Sequence, residues 1–232
     1  MQKNKIQLRH RLIRWVLYSI LGFIVSTSLL VMSLAQLPVD TSSFMIQRHI
    51  SDFNNDRGFV RIDQQWREQD AISPHLFHAV IAAEDQRFYQ HHGLDFDAIL
   101  SAFKHNQAGG KIRGASTITQ QVAKNLFLTP SRSVWRKGLE AWFSLLIELF
   151  WSKQRILLVY VNIAEFGDHL FGAEAASQHY FSISADKLTA SQAALLAGSL
   201  PNPLIFKVDK PSRGLRYKQQ WILGQMRNLG YL

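Results

Sequence analysis

The stretch "SPHLFHAVIAAEDQRFYQHHG", Ser73–Gly93, decides the class of this chain. Ser73 is a natural helix N-cap and Pro74 suits the first helical position. Leu76, Phe77, Val80 and Ile81 recur at helical spacing, so the stretch predicts a helix with one apolar face. Glu84 continues that face, four residues after Val80 and three after Ile81. A carboxylate there is either an ordinary residue just past the core edge or a proton acceptor tuned by apolar surroundings. The spacing alone leaves both open. Asp85 points about 100° away on an ideal helix and is expected to matter less to proton transfer.

Outward from this stretch the pattern stays helical. "SAFKHNQAGGKIRGAS" carries Gly109, Gly110 and Gly114 among bases and reads as a flexible loop. "STITQQVAKNLFL" starts a helix capped by Ser116 or Thr117, with Ile118, Val122 and Leu126 as its apolar stripe. Thr117, Gln120, Gln121 and Lys124 share a second face. It suits sugar hydroxyls or phosphate at a helix N-terminus, or is simply solvated. "SVWRKGLEAWFSLLIELFW" is a third helix, in which Arg136 and Glu140 stand at ion-pair spacing. "SKQRILLVYVNIAEFG" predicts a Ser152-capped helix ending near Gly167, and "LTASQAALLAGSLPNP" a helix stopped by Pro201 and Pro203. Only "GFVRI", residues 58–62, looks like a strand. The expected class is mainly α.

Toward the N-terminus, Trp15 to Gln36 holds no charge and is long enough to span a bilayer, which takes about 20 apolar residues. It reads as an uncleaved anchor, with a cleaved signal as the alternative. Residues 1–14 carry Lys3, Lys5, Arg9, Arg11 and Arg14 and no acid. The positive-inside rule therefore puts the N-terminus in the cytoplasm and the rest outside, at the inner membrane. The expected organisation is a tail (1–14), an anchor (15–37), a linker and start of the domain (38–72) and the main domain (73–232).

The net charge is +9, but five of the 26 bases sit in the tail, leaving 21 against 17 acids. The basic pI therefore does not point to nucleic acid, and no nucleic-acid partner is expected. With no cysteine there is neither a disulfide framework nor a thiolate metal site. Ala98 to Leu139 contains no acid but seven bases: Lys104, Lys111, Arg113, Lys124, Arg132, Arg136 and Lys137. Such a field suits a di-anionic ligand, and a lipid-linked pyrophosphate fits better than nucleic acid outside the cell.

Together these motifs resemble glycosyltransferase family 51, the peptidoglycan glycosyltransferases, in their short monofunctional biosynthetic form. "EDQRFYQHHG" matches the first motif through Glu84, Asp85, Phe88, His91 and Gly93. "GASTITQQVAKN" matches the second through Gly114, Ser116, Thr117, Thr119, Gln120, Gln121, Lys124 and Asn125. "RKGLE" matches the third through Arg136, Lys137 and Glu140. The fourth is met by Lys153, Ile156, Leu157, Tyr160, Asn162 and Gly167, and "AALLAGSLPNP" is similar to the fifth. Gln192 stands where a glutamate is expected, at a position read as structural.

The resemblance implies a lysozyme-like helical lobe and a smaller apolar lobe against the membrane. Phe127, Leu128, Trp135, Trp142, Phe143, Phe150 and Trp151 are candidates to face lipid, or to pack the core. The implied substrates are lipid II and the growing glycan strand. The acceptor 4-hydroxyl displaces the lipid pyrophosphate, giving an inverted β-1,4 bond. Glu84 is the implied base. Lys137 faces the leaving group, with Arg136, Lys124 and a divalent cation (magnesium or manganese) in support. Glu140 orients Lys137 or the donor sugar, and Ser116, Thr117, Gln121 and Asn125 contact substrate. Other cell-wall synthesis and division proteins are expected partners. No transpeptidase segment follows Leu232, so polymerisation without cross-linking is expected. A lysozyme-like lytic enzyme and a non-catalytic cell-wall scaffold are the alternatives.

Overall fold

The N-terminal apolar run forms one helix, α1 (Gln2–Ser33). The computed structural model describes residues 2–107, 109, 114–131 and 133–232, with the side chains of 2–6 and 8 left aside. Gly110, Lys111, Arg113 and Arg132 lie outside the described residues, as do the side chains of Lys3 and Lys5. The helix begins inside the basic tail, before the expected anchor, and stops at Ser33, short of residue 37. Its apolar part, Arg9–Ser33, has 25 residues. At 1.5 Å per residue it is about 37 Å long, enough for a hydrocarbon layer of about 30 Å.

Residues 38–72, expected to link anchor and domain, are folded. They carry α2 (Ser43–Asn54), capped by Ser42, and β1 (Asp63–Gln64). The strand follows "GFVRI" and does not include it. Next come α3 (Pro74–Glu84), α4 (Phe96–Gln107), α5 (Ile118–Phe127), α6 (Val134–Phe150) and α7 (Lys153–Ile163). The expected loop from residue 101 is therefore helical as far as Gln107. A short hairpin follows, β2 (Glu165–Gly167) and β3 (Leu170–Phe171), then α8 (Ala173–Phe181), α9 (Ala190–Ser199) and α10 (Arg213–Asn228). Strand β3 lies between β1, parallel to it, and β2, antiparallel. The predicted run to Gly167 thus breaks at Ile163, where the chain turns into β2. The class is mainly α.

Two helix groups share α7. One is α3, α9 and α10; the other is α5 and α6, with α1 along α6. Helix α7 is buried without interruption from Ile156 to Ile163. Removing each such apolar side chain from water is worth about 1.5–3 kcal/mol. Its one buried amide, Asn162, is satisfied. It accepts from the Arg67 N–H (2.9 Å) and donates to the Arg67 and Leu158 carbonyls (3.0 and 2.9 Å).

The helix starts follow their caps. Thr117 closes a capping box with Gln120 at α5, so Ser116 is not the cap. Ser133 and Ser152 cap α6 and α7. Thr189 closes a second box with Gln192 at α9. A glutamine can complete that box as a glutamate would, which gives Gln192 a structural role. Ser73 precedes α3 but makes no cap bond. Its hydroxyl instead donates to the Leu188 carbonyl (2.7 Å), tying α3 to the start of α9.

Along the α1–α6 seam, Trp142 Nε1 donates to Thr27 Oγ1 (3.3 Å) and Trp151 Nε1 to the Val31 carbonyl (2.8 Å). Arg155 then holds the Leu34 carbonyl (2.8 Å) and that of Leu37. Core packing claims most of the candidate lipid-facing aromatics. Leu128, Phe143 and Trp151 are buried, and Phe127, Trp142 and Phe150 pack against the core. Only Trp135 stands free, 88 % exposed.

Asp85 is not a bystander. It is buried where α3 meets α5, accepting from His91 Nε2 (3.0 Å to each oxygen) and from the Ile118 N–H (3.0 Å). Asp85→Ala should cost about 1–3 kcal/mol, because it leaves the buried Ile118 N–H and His91 Nε2 without their acceptor. Asp85→Asn, which keeps one acceptor, should fall between. Unfolding midpoints in detergent measure both; an Ala variant as stable as the parent would remove this role.

Candidate active site

Glu84 is the last residue of α3, and its partner comes from α5. Gln121 Nε2 donates to Glu84 Oε2 (2.8 Å). The Tyr160 hydroxyl, on buried α7, donates to Gln121 Oε1 (3.1 Å). Burial, with the Glu84 charge adding to it, pushes the Tyr160 hydroxyl well above its ordinary pKa. Tyr160 therefore stays a donor and fixes which way the Gln121 amide points. Glu84 Oε1 takes no hydrogen bond from the described residues.

One helical turn beyond Gln121, Lys124 enters the same region, its Nζ 5.4 Å above the Phe44 ring. Burial lowers its pKa most; Arg136 and Lys137 add to this, while Glu140 and Glu84 oppose it. These are the groups the sequence singled out, so the structure brings the second and third motifs to Glu84. Glu140 is 3 % exposed. It accepts from Arg136 Nη1 (2.6 Å) and from Lys137 Nζ. The Arg136–Glu140 pair is thus more than a surface contact. A buried carboxylate gathers two cations, and Lys137 keeps half its side chain in solvent.

Two cavities flank the Glu84–Gln121 contact. The larger, about 560 Å³, is lined by Glu84, Arg87, Asp95, Ser116 and Trp221 among others. The smaller, about 170 Å³, lies beside Gln121, Lys124, Asn125 and Tyr160, walled by Phe44 and Pro203. Ser116 therefore shares the cavity of Glu84, and Asn125 that of Gln121 and Lys124. Thr117 lines the larger cavity beside Ser116. It is buried, its hydroxyl donates to the Gly93 carbonyl (2.6 Å) and accepts from the Gln120 N–H (3.1 Å). Its hydroxyl proton is thus committed to that carbonyl, while one lone pair of the oxygen stays free to accept.

Helix α10 was missed by sequence reasoning. Trp221 and Gln225 line the larger cavity, and Gln225 accepts from Gln86 (3.4 Å). Lys218, one turn earlier, has its pKa lowered by burial and held up by Glu84. The spacing of Lys218, Trp221 and Gln225 on one helix face was a readable signal, but α10 lies beyond the five motifs.

Glu84 and Asp95 are two carboxylates that line the larger cavity. Glu140 is already bonded to two cations and Glu84 to an amide. No three His, Asp or Glu side chains gather as ligands among the described residues.

The chain matches the transglycosylase family over residues 50–227. Proteins named biosynthetic peptidoglycan transglycosylase are similar along nearly their whole length. That of Shewanella oneidensis is 50 % identical over 220 residues, 95 % of this chain and 93 % of the relative. That of Chromohalobacter salexigens is 49 % identical over 218 residues, covering 94 % and 93 %. That of Cronobacter sakazakii is 50 % identical over 231 residues, covering 99 % and 95 %.

The state of Lys124 can be tested. Its folded pKa is lowered, so the unfolded chain binds its proton more tightly. Stability from this group then rises as pH climbs from the folded toward the unfolded lysine pKa. Lys124→Met should raise the unfolding midpoint at neutral pH, and the gap to the parent should close in alkaline buffer. A variant less stable than the parent at neutral pH would mean that Glu140 and Glu84 outweigh burial.

Proposed function

Since the chain belongs to the transglycosylase family, we infer that it is a peptidoglycan glycosyltransferase that joins lipid II units into glycan strands. One observation carries the reading. A carboxylate aimed by a fixed amide lines the larger cavity, that amide's residue lines the smaller, and Lys124 beside it is close enough to feel Glu84, Arg136 and Lys137 together.

In this reading Glu84 accepts the proton of the acceptor sugar's 4-hydroxyl as its oxygen attacks the anomeric carbon of the growing chain. An alcohol is too weak a nucleophile unless that proton leaves as the bond forms. The bond from the anomeric carbon to the pyrophosphate oxygen breaks, its electrons go to the lipid pyrophosphate, and the single displacement inverts the centre. Charge grows on the leaving group, so cations fixed beforehand favour the transition state. Lys137 faces that charge, with Arg136 and Lys124 beside it. Glu140 holds Arg136 and Lys137 in place, and Gln121 aims Glu84. Ser116 and Thr117 in the larger cavity and Asn125 in the smaller are the substrate contacts.

The basic cluster separates this from a lytic enzyme, because a neutral sugar leaving group needs no cations. A silent scaffold would have no use for a carboxylate aimed into a cavity. Purified full-length protein with lipid II, products separated by size, discriminates the three. Glu84→Gln should stay folded and membrane-bound but lose polymerisation by roughly 10²–10⁴. Lys137→Ala should lose about 10²–10³, and Lys104→Ala much less. Near-parent polymer from Glu84→Gln would remove the base assignment. Equal loss in the two lysine variants would mean that the charges act only collectively.

The apolar helix α1 anchors the chain in a membrane. Its basic start supports a cytoplasmic N-terminus, with the catalytic domain on the outer side of the inner membrane. A reporter fused after Leu232 should be active only outside the cytoplasm. Activity of a cytoplasm-only reporter there would reverse the orientation.

A further inference from the structure

The larger cavity differs in chemistry from the smaller one. Lys124 lines the smaller. Among the described residues the one cation on the wall of the larger is Arg87, already paired with Asp95 (3.4 Å) and Asp97 (2.9 Å). Carboxylate, hydroxyl and amide groups make up the rest of its polar wall, with Glu84, Ser101, Ser116 and Gln225 among them. Its volume, about 560 Å³, falls within the range of small-ligand sites, about 300–1,000 Å³. One aromatic side chain lines it among the described residues, Trp221 of α10.

Trp221 is unlike the chain's other tryptophans. Trp66, Trp142 and Trp151 give their indole N–H to Glu68, Thr27 and the Val31 carbonyl, and all three belong to the core or pack against it. Trp15 lies in α1 and Trp135 in the first turn of α6. Trp221 is 41 % exposed and stands outside the packed core. Its helix nonetheless holds it firmly. Ile222 and Met226 are fully buried, and α10 packs on α3 and α9. A Cβ on Gly198 of α9 would come within 3.0 Å of Leu215 Cδ1, so the two helices touch closely. One turn past Trp221, Gln225 Oε1 accepts from Gln86 Nε2 (3.4 Å), two residues beyond Glu84. Gln225 Nε2 makes no bond among the described residues.

We propose that Trp221 binds the acceptor: its indole stacks on the sugar ring whose 4-hydroxyl meets Glu84, while Gln225 donates to a polar substituent of the same sugar. The proposal rests on the glycosyltransferase reading of the site. A pyranose ring is polar around its rim and apolar on its faces, where C–H bonds point outward. The rim suits carboxylate, hydroxyl and amide. The face suits an aromatic ring, whose negative face attracts the slightly positive hydrogens. Charge decides between donor and acceptor. The reacting end of the donor carries the pyrophosphate, so it belongs on the side of Lys124, Arg136 and Lys137. The reacting end of the acceptor is neutral, and it matches a cavity whose one cation is already paired. Glu84 lines the larger cavity and not the smaller, so the proton it takes comes from the side of Trp221.

The two substrates can be varied separately. A lipid II with its terminal 4-hydroxyl methylated donates but cannot accept. One with its anomeric oxygen replaced by carbon accepts but cannot donate. Full-length protein in detergent then makes a single transfer between them, and each KM is read on its own. Trp221→Ala should raise the acceptor KM by roughly 2–10-fold, what one stacked ring is worth, with donor KM and kcat about unchanged. Trp221→Phe should recover most of the loss. Trp221→Leu, apolar but without a flat face, should not. Unfolding midpoints show which variants are folded; if the Ala variant is not, the Phe and Leu variants carry the comparison. An unmoved acceptor KM, a donor KM raised as much, a loss confined to kcat, or a Leu variant equal to the Phe variant would each overturn the platform. A parent protein that forms no product at all would overturn the glycosyltransferase reading instead.

Discussion

A carboxylate with almost no solvent must be bonded from several sides, and Asp85 meets that demand in a way that aims its neighbour. Its oxygens take the Ile118 N–H and the His91 ring, so the α5 N-terminus is locked to the end of α3. The positive end of a helix also favours a negative charge there. With Asp85 turned into that junction, Glu84 faces the side of α5 that carries Gln121. Two adjacent acids then have unlike tasks. One is spent on the backbone, while the other is left with a single side-chain donor and one oxygen without a bonded partner among the described residues.

The charge of the site is assembled on the same logic. Arg136 and Lys137 are neighbours in sequence, and two cations side by side repel. Glu140 lowers that cost by bonding to both from a position shielded from water. Burying one acid among these bases leaves the group net positive. Lys124, more desolvated, approaches from α5 and feels both carboxylates. The cations are thus in place before any anion arrives, which is the condition for stabilising charge without reorganisation.

Much of this was legible in the sequence, and what was hidden has a physical cause. The caps at Thr117 and Ser152 were readable because a cap is a local bond between a side chain and the next turn. The stripe leading to Glu84 was readable because helical period shows in any ten residues. The bond from the Thr117 hydroxyl to the Gly93 carbonyl was hidden because the two residues are distant in sequence. Helix α4 looked like a loop because its C-terminal half runs into glycines. Its apolar residues Phe96, Ile99, Leu100 and Phe103 face outward, so core packing supplied no clue. Helix α10 went unnoticed as part of the site because Lys218 and Trp221 meet Glu84 only after α10 packs on α3 and α9.

Several residues that carry the family resemblance hold together the helices that bear the proposed site. Thr119 on α5 donates to Glu148 on α6 (2.6 Å), and Lys153 on α7 pairs with the same carboxylate (2.8 Å). The Lys153 ammonium also lies 4.5 Å over the ring of Phe88, in the segment that follows Asp85. Gly93 closes that segment against α6. A side chain there would come within 3.1 Å of Glu148 Cγ and 3.3 Å of the Ser144 carbonyl, at a φ of +86° that also favours glycine. Glu148 therefore gathers three helices and the loop after Glu84 around one buried charge. Glu84 reports to α3, Gln121 and Lys124 to α5, and Lys137 to α6. A displacement of about 1 Å between reacting groups can cost on the order of 10²-fold in rate. The distance between base and cations is set by how those helices are clamped, so a motif tuned for catalysis must also specify the clamp.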